Sequence, residues 1–299
     1  MNYGIPYMGS KNAIAEWVVG NLPPADILID AFAGGCAITH AALLSGKYKH
    51  IIANDVSDAP QLFLDAIHGK YRGNGEWISR EEFHLRKDSD PYIRYCWSFG
   101  NKGDTYMYSR DIEAYKHAMH RLAFADNPRQ RMLAYKRCIE QFAKLSAPPP
   151  AHPAELQSLE GLESLKSLKS LQSLQSLESL QRLESLQRLE GLQSLERLEV
   201  VRGDYRDITI PASESVIIYC DPPYRGTAEY VSGKFDHDAF YGWLRVLKVP
   251  CVISEYSMPD DFRIIASRRK TSHLGATSYA IENLYAVNYS PLTQGELGL

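Results

Sequence analysis

Short runs of apolar residues, bounded by turn-forming residues, recur near both ends of the chain. We interpret five of them as buried strands: Ile27–Asp30, Ile51–Asp55, Leu198–Val201, Val216–Cys220 and Val249–Ser254. Helical patterns lie between the strands, beginning near Ala37 and again at Asp238–Leu247. Nearly continuous apolar strands that alternate with helices predict an α/β fold with a mainly parallel sheet.

One segment follows a different pattern. From Leu156 to Leu198 a leucine stands at every third position, after a proline-rich break at Pro148–Pro150 and Pro153. The intervening residues are mostly fair helix formers. An α-helix would carry successive leucines about 60° backwards around its axis, whereas a 3₁₀-helix would stack them in one stripe. The pattern leaves both helix types open. We expect some of these leucines to pack against a second copy of the chain.

Charge is distributed unevenly along the 299 residues. The net charge of −3 gives no global sign of nucleic-acid binding, but residues 68–137 carry 14 Lys and Arg against 9 Asp and Glu. Aromatic residues are interleaved with these cations: Tyr71, Trp77, Tyr92, Tyr95, Trp97, Phe99, Tyr106 and Tyr108. This segment is therefore the candidate nucleic-acid-binding surface, with Arg72, Arg94 and Lys102 as candidate phosphate contacts.

Several other classes of protein and site are disfavoured. The chain has no apolar run of membrane-spanning length and no signal-peptide pattern, so we expect a cytoplasmic protein. Its five cysteines are scattered and no metal-binding spacing occurs, which predicts reduced thiols and no metal. Cys251 lies inside an apolar run and is interpreted as a core residue. The basic run Arg268–Lys270 is interpreted as a solvated loop, with a phosphate contact as the alternative.

The most specific chemical signal is the tetrapeptide Asp221–Tyr224, Asp-Pro-Pro-Tyr, which directly follows a predicted strand. The carboxyl ends of such strands are where open α/β sheets bind ligands. Asp221 and the carbonyl of Pro222 can accept hydrogen bonds from an exocyclic amine, and the two prolines keep the loop rigid. Tyr224 offers a flat face on which an extruded base can stack. A simple turn after a strand is the alternative interpretation.

The first predicted strand and turn resemble a nucleotide-type cofactor loop. Asp30 ends the strand, and the small residues Ala33, Gly34 and Gly35 precede a helix, which allows close backbone approach to a ligand. Asp55 ends the next strand, where an acid can accept hydrogen bonds from ribose hydroxyls. The Gly-x-Gly-x-x-Gly dinucleotide fingerprint is absent, which argues against a nicotinamide dehydrogenase.

Taken together, these motifs resemble those of DNA adenine-N6 methyltransferases. Tyr7–Lys11, Asp30–Gly35, Asn54–Asp55 and Asp221–Tyr224 are similar to motifs X, I, II and IV of that family. Shorter matches are Gly203–Tyr205, Phe235–His237 and Ile253–Ser254, similar to motifs III, V and VI, and Phe99–Gly103, which resembles a loop of the recognition region. The motif order is similar to the α arrangement of the family. Two departures are Cys36, where many members carry glycine, and the leucine repeats, which have no counterpart.

The resemblance implies a role for each matched residue. S-adenosylmethionine would be the cofactor, surrounded by Tyr7, Lys11, Asp30, Phe32, Gly34, Asp55 and Asp204. Asp221, Pro222 and Tyr224 would hold a flipped adenine, with Pro223 in the same rigid loop. The methyl group would pass directly from sulfonium to N6, without a covalent enzyme intermediate.

The predicted organisation is a Rossmann-like methyltransferase sheet with two insertions. Residues 1–67 would form the cofactor-binding half, 68–147 the target recognition region, 148–199 the leucine-triplet insert and 200–299 the catalytic half. Two other functions stay open: methylation of RNA adenine or protein glutamine, and a non-enzymatic assembly role on a relict methyltransferase core. The former relatives more often carry Asn at the position of Asp221, so Asp221 favours DNA.

Overall fold

The computed structural model describes residues 2–145, 178–189, 192, 195–212, 214–225, 235–271 and 279–289. The proline-rich break and the leucine triplets before residue 178 lie outside the described residues. The chain divides into two units, residues 1–68 with 189–299, and residues 69–188. We call them the sheet unit and the helical unit.

The sheet unit is built on seven strands: β1 (Ile27–Asp30), β2 (His50–Asp55), β3 (Leu198–Arg202), β4 (Val216–Cys220), β5 (Cys251–Glu255), β6 (Arg263–Thr271) and β7 (Tyr279–Val287). Their order in the sheet is β3-β2-β1-β4-β5-β7-β6. The first five strands of this order are parallel, and β7 runs antiparallel to both β5 and β6. This arrangement confirms the predicted α/β class and is consistent with a Rossmann-like sheet.

Nine α-helices are described in these parts of the chain: α1 (Ala15–Asn21), α2 (Ala37–Ser45), α3 (Ala59–Ile67), α4 (Arg80–Arg86), α5 (Pro91–Cys96), α6 (Arg110–Ala123), α7 (Pro128–Leu145), α8 (Glu178–Gln187) and α9 (His237–Val246). The first three and α9 belong to the sheet unit, and the other five to the helical unit. None of the described helices is long and apolar enough to cross a membrane.

The central strands form where the sequence predicts them. β1 and β4 are buried along their whole length, as expected of central strands in a parallel sheet covered on both faces, and their side chains are mostly apolar, with Asp30 at the end of β1 as the charged exception. Ile29, Ile218 and Phe240 belong to the core between the sheet and α9, and Cys251 is fully buried in the same cluster. The core interpretation of Cys251 is therefore confirmed.

The last two strands were not predicted, and the interpretation of Arg268–Lys270 as a loop is wrong. These residues lie within β6 and pair with residues 280–282 of β7. A strand at the edge of a sheet keeps one side open to solvent, so basic residues fit there although they hide the apolar pattern.

The described end of the leucine repeat is α-helical. Leu183 and Leu186 are buried within α8. A step of three residues rotates the side chain by only about 60° on an α-helix, so two successive leucines share one face. The side chain of Arg182 holds α8 in the helical unit by donating to the carbonyls of Cys96 at 2.9 Å and Ser98 at 2.8 Å.

Candidate active site

The candidate residues gather at the carboxyl edge of the parallel strands. β1 lies between β2 and β4, and the direction in which the chain builds the sheet reverses at β1 and β4. Ligands of open α/β sheets bind in the crevice at this switch point. Asp30 ends β1, Asp55 ends β2, and Asp221 directly follows β4.

Lys11 connects the N-terminal motif to the tetrapeptide after β4. Its ammonium nitrogen lies 2.8 Å from Oδ1 of Asp221 and 4.2 Å from the centre of the Tyr224 ring. The Lys11 side chain is 6% exposed and that of Asp221 16%. A buried cation needs such partners, because removing an ammonium from water is costly. The sequence predicted both residues for the site, but not this direct contact.

Burial dominates the electrostatics of the tetrapeptide. It raises the pKa of Asp221 above the ordinary value, and the nearby Lys11 ammonium only partly opposes this effect. The pKa of the Tyr224 hydroxyl is raised far above its usual range, first by burial and then by the neighbouring carboxylates of Asp221 and Glu282. Tyr224 therefore acts as a neutral hydrogen-bond donor.

Two buried glutamates adjoin this group, and sequence reasoning missed both. Glu282 on β7 is fully buried, accepts a hydrogen bond from the Tyr224 hydroxyl, and lies 3.5 Å from the Lys11 nitrogen. Glu255 ends β5, and burial raises its pKa to about 7. One carboxylate oxygen of each has no partner among the described residues. No local sequence pattern marks Glu282, because its buried place depends on how β7 enters the sheet.

The turn after β1 is held against Tyr7 and β2. The amide of Gly34 donates to Oδ2 of Asp55 at 2.8 Å, which ties the turn to the end of β2. Gly34 has a φ of +46°, and a Cβ atom there would lie 2.8 Å from the Tyr7 ring. Gly35 is equally close, since its Cβ would meet the Tyr7 side chain at 2.5 Å. Both glycines are required by this packing.

Cys36 stands where many family members carry glycine, and its backbone conformation and burial explain how a cysteine is accommodated there. It adopts a left-handed conformation, with φ +58° and ψ +33°, directly before α2. Glycine reaches this conformation without strain, whereas another residue loses roughly 1–2 kcal/mol there. The fully buried side chain of Cys36 offsets part of this cost by packing in the core.

Asp30 lies beneath the turn. It is buried, and its Oδ2 accepts hydrogen bonds from the hydroxyl and the amide of Thr39 at 2.7 and 3.2 Å. Its Oδ1 has no partner among the described residues. Burial raises the pKa of Asp30 to about 7, and the carboxylates of Asp221 and Asp55 add to the rise.

The comparison with known families agrees with this geometry. Residues 7–132 match the family model described as D12 class N6 adenine-specific DNA methyltransferase. This match indicates an adenine-specific DNA methyltransferase. Within residues 7–132 the match supports the resemblance drawn from the motifs, and this range includes Tyr7, Lys11, Asp30, Gly34 and Asp55. No curated protein matched the chain.

Two further candidate residues, Phe32 and Asp204, lie beside the turn after β1. Phe32 packs on Tyr205, Phe235 and Phe240, with ring centres 5.3, 5.8 and 5.6 Å away. Asp204 precedes Tyr205, and both its oxygens accept hydrogen bonds from the Arg206 guanidinium, at 2.8 and 2.9 Å. These bonds lower the pKa of Asp204. A ligand amine would have to share this carboxylate with Arg206.

The candidate DNA contacts all lie in the helical unit. Arg72 and Lys102 are exposed. Arg94 is only partly exposed, because its guanidinium donates to the carbonyls of Lys87 and Asp88, both at 2.8 Å. Lys102 belongs to a tight loop that also exposes Phe99, which is 67% accessible. Within the described parts of the chain no group of three or more His, Cys, Asp or Glu is arranged to hold a metal ion.

Proposed function

We propose that this enzyme uses S-adenosylmethionine and methylates N6 of an adenine flipped out of DNA into a pocket formed by Asp221, Pro222 and Tyr224. The observation that carries the proposal is the position of Lys11. Its ammonium donates to Asp221 and lies over the Tyr224 ring. Asp221 thus presents its carboxylate to a nitrogen donor beside the Tyr224 ring, as an adenine that donates its amine to Asp221 and stacks on Tyr224 would require.

The residues around the β1 turn fit the proposed cofactor. S-adenosylmethionine, when bound, supplies a methyl group on a positively charged sulfonium. Asp55 and Asp204 give this region negative charge, which favours a cationic ligand, and Asp204 shares its charge with Arg206. The buried Oδ1 of Asp30 has no partner among the described residues, so a ligand donor would satisfy it. Asp55 uses its oxygens for the amides of Gly34 and Ser57, and each oxygen keeps a second lone pair for a hydroxyl.

The protein's contribution to the reaction is mainly alignment. Asp221 and the Pro222 carbonyl would accept the two N–H groups of the target amine, which orients its nitrogen. Tyr224 would stack on the base. Holding two reactants in register removes much of the entropic barrier, and effective molarities reach about 10⁵–10⁸ M in well-oriented systems. A flipped base is required because the target atom is inaccessible within the duplex.

The substrate is tested by following the methyl group. The purified protein is incubated with methyl-labelled S-adenosylmethionine and, separately, with unmethylated DNA, total RNA and a protein extract. The proposal predicts label in DNA, recovered as N6-methyladenine. Label in RNA or protein alone would indicate one of the other methyltransferase classes. No transfer to any substrate would leave the assembly role. Self-association through the leucine repeats stays a prediction.

A further inference from the structure

Glu282 belongs to none of the motifs matched in the sequence, yet it is fully buried at the candidate active site. It lies on β7, between the exposed Ile281 and the buried Asn283. β7 is the strand inserted antiparallel between β5 and β6. Its position in the sheet therefore brings a carboxylate from near the C-terminus to residues that the sequence motifs identify.

The contacts of Glu282 join two parts of the site. Its Oε1 accepts a hydrogen bond from the Tyr224 hydroxyl and lies 3.5 Å from the Lys11 ammonium. The same ammonium lies 2.8 Å from Asp221. Tyr256 packs edge-on against the Tyr224 ring, with centres 4.6 Å apart. The ring of Tyr224 is thus held by Tyr256 through this T-shaped contact and at its hydroxyl by Glu282.

Packing alone does not account for a glutamate here. Burying a carboxylate is costly, and apolar residues of similar volume often replace buried charges with no loss of stability. Oε2 of Glu282 has no partner among the described residues, which adds to the cost. A residue that is costly to bury and touches two candidate site residues is better explained by its effect on them.

We propose that Glu282 is a positioning residue for methyl transfer. It holds the Tyr224 hydroxyl and the Lys11 ammonium, so that the tyrosine ring and Asp221 face the target adenine in a fixed arrangement. This inference rests on the proposed function, because it assigns Glu282 a part in the same reaction. Glu282 acts through Tyr224 and Lys11 and does not itself touch the reacting atoms.

Two variants separate the hydroxyl contact from the charge. Glu282→Gln keeps an oxygen for Tyr224 and loses the attraction for Lys11, whereas Glu282→Ala loses both. We expect the single-turnover methylation rate at saturating cofactor and DNA to fall about tenfold in the first and about a hundredfold in the second. Affinity for S-adenosylmethionine should stay within about twofold of the parent, a difference far below one lost charged hydrogen bond.

A double-mutant cycle tests the route through Tyr224. Tyr224→Phe removes only the hydroxyl, so Glu282→Ala should cost less in the Tyr224→Phe background than alone. Glu199→Ala is the matched control. Glu199 lies on β3, pairs with His50, and has a side chain that is 54% accessible. Its replacement should keep the parental rate.

The outcomes distinguish this inference from the proposed function. A parental rate in Glu282→Gln and Glu282→Ala, or full additivity with Tyr224→Phe, overturns the role of Glu282 and leaves the function intact. If Glu282→Ala does not fold, as judged by its thermal unfolding, the near-isosteric Glu282→Gln decides alone. A wild-type protein that transfers no methyl group overturns both proposals.

Discussion

The ammonium nitrogen of Lys11 lies 2.8 Å from Oδ1 of Asp221, and this contact joins the N-terminal motif to the tetrapeptide after β4. Lys11 falls within the segment that matches the methyltransferase family, residues 7–132, whereas Asp221 lies outside it. Both side chains are largely removed from solvent. The tetrapeptide after β4 therefore shares one site with the motifs inside the family match. Lys11 favours the charged form of Asp221.

Replacing Lys11 by methionine should shift the pH dependence of methyl transfer. Burial raises the pKa of Asp221 and Lys11 opposes this rise, so the pKa rises further without the lysine. A protonated carboxyl is a poorer acceptor for the target amine, so the acidic limb of the rate profile should move to higher pH. Single-turnover rates from about pH 5 to pH 9 measure the limb. Lys49→Met, which breaks an exposed pair with Asp26, is the control. An unshifted limb in Lys11→Met would separate Lys11 from Asp221 in function.

Asp55→Ala should weaken cofactor binding. The variant loses the acceptor for the Gly34 amide, which lies 2.8 Å away, and the proposed acceptor for ribose. A hydrogen bond to a charged group is worth about 1.5–3 kcal/mol, so affinity should fall about ten- to hundredfold. Asp55→Asn keeps one carbonyl oxygen, so its cofactor affinity should lie between those of the parent and Asp55→Ala. Calorimetry with S-adenosylmethionine measures the constants, and equal affinity in all three proteins would remove Asp55 from the cofactor site.

Asp30 should make the enzyme less stable as pH rises. Its pKa is raised by burial from 3.8 to about 7, so between these values the folded state holds a proton that the unfolded state has released. Stability falls with pH wherever the folded state binds more protons, by up to about 1.4 kcal/mol per unit. Asp30→Asn should remove this slope.

Denaturant unfolding at several pH values measures the effect of Asp30. Asp26→Asn is a control of opposite sign, since hydrogen bonds from Lys49 and Ser215 lower the pKa of Asp26 to about 2. The stability contributed by Asp26 is present above its unfolded pKa and is lost as pH falls. Equal slopes in wild type and Asp30→Asn would show that Asp30 titrates normally.

The strands that could be predicted from the sequence are those whose residue pattern is set by burial alone. β1 and β4 are buried on both faces and lie in the centre of the sheet, so their apolar runs coincide with the strands. β6 and β7 were not predicted, because exposed cations are mixed with buried residues in this antiparallel part of the sheet and hide the apolar pattern. The place of Glu282 in the candidate site could not be predicted for a related reason. Its place beside Lys11 depends on β7 entering the sheet between two other strands, which no local pattern encodes.

DNA binding should depend on salt through the exposed cations of the helical unit. Arg72 and Lys102 are exposed, whereas Arg94 is tied to backbone carbonyls and its loss would disturb the fold. Neutralising Arg72 and Lys102 together should reduce the slope of log affinity against log salt by about 1.8, or about 0.9 per phosphate contact. The control neutralises Lys49 and Arg245, which pair with carboxylates in the sheet unit. A slope equal to that of the parent would place the DNA surface elsewhere.

The most direct test of the account is single-molecule sequencing of DNA from cells that express the wild-type protein or Asp221→Ala. Asp221 would contact the target amine, so its loss should reduce transfer about 10²- to 10³-fold, as for other preorganised active-site contacts. Calorimetry on the purified variant should show cofactor affinity close to that of the parent. The account predicts N6-methyladenine in one recurrent sequence context with the wild type, and none above background with the variant. Equal methylation by both proteins, or no methylated adenine with the wild type, would contradict it.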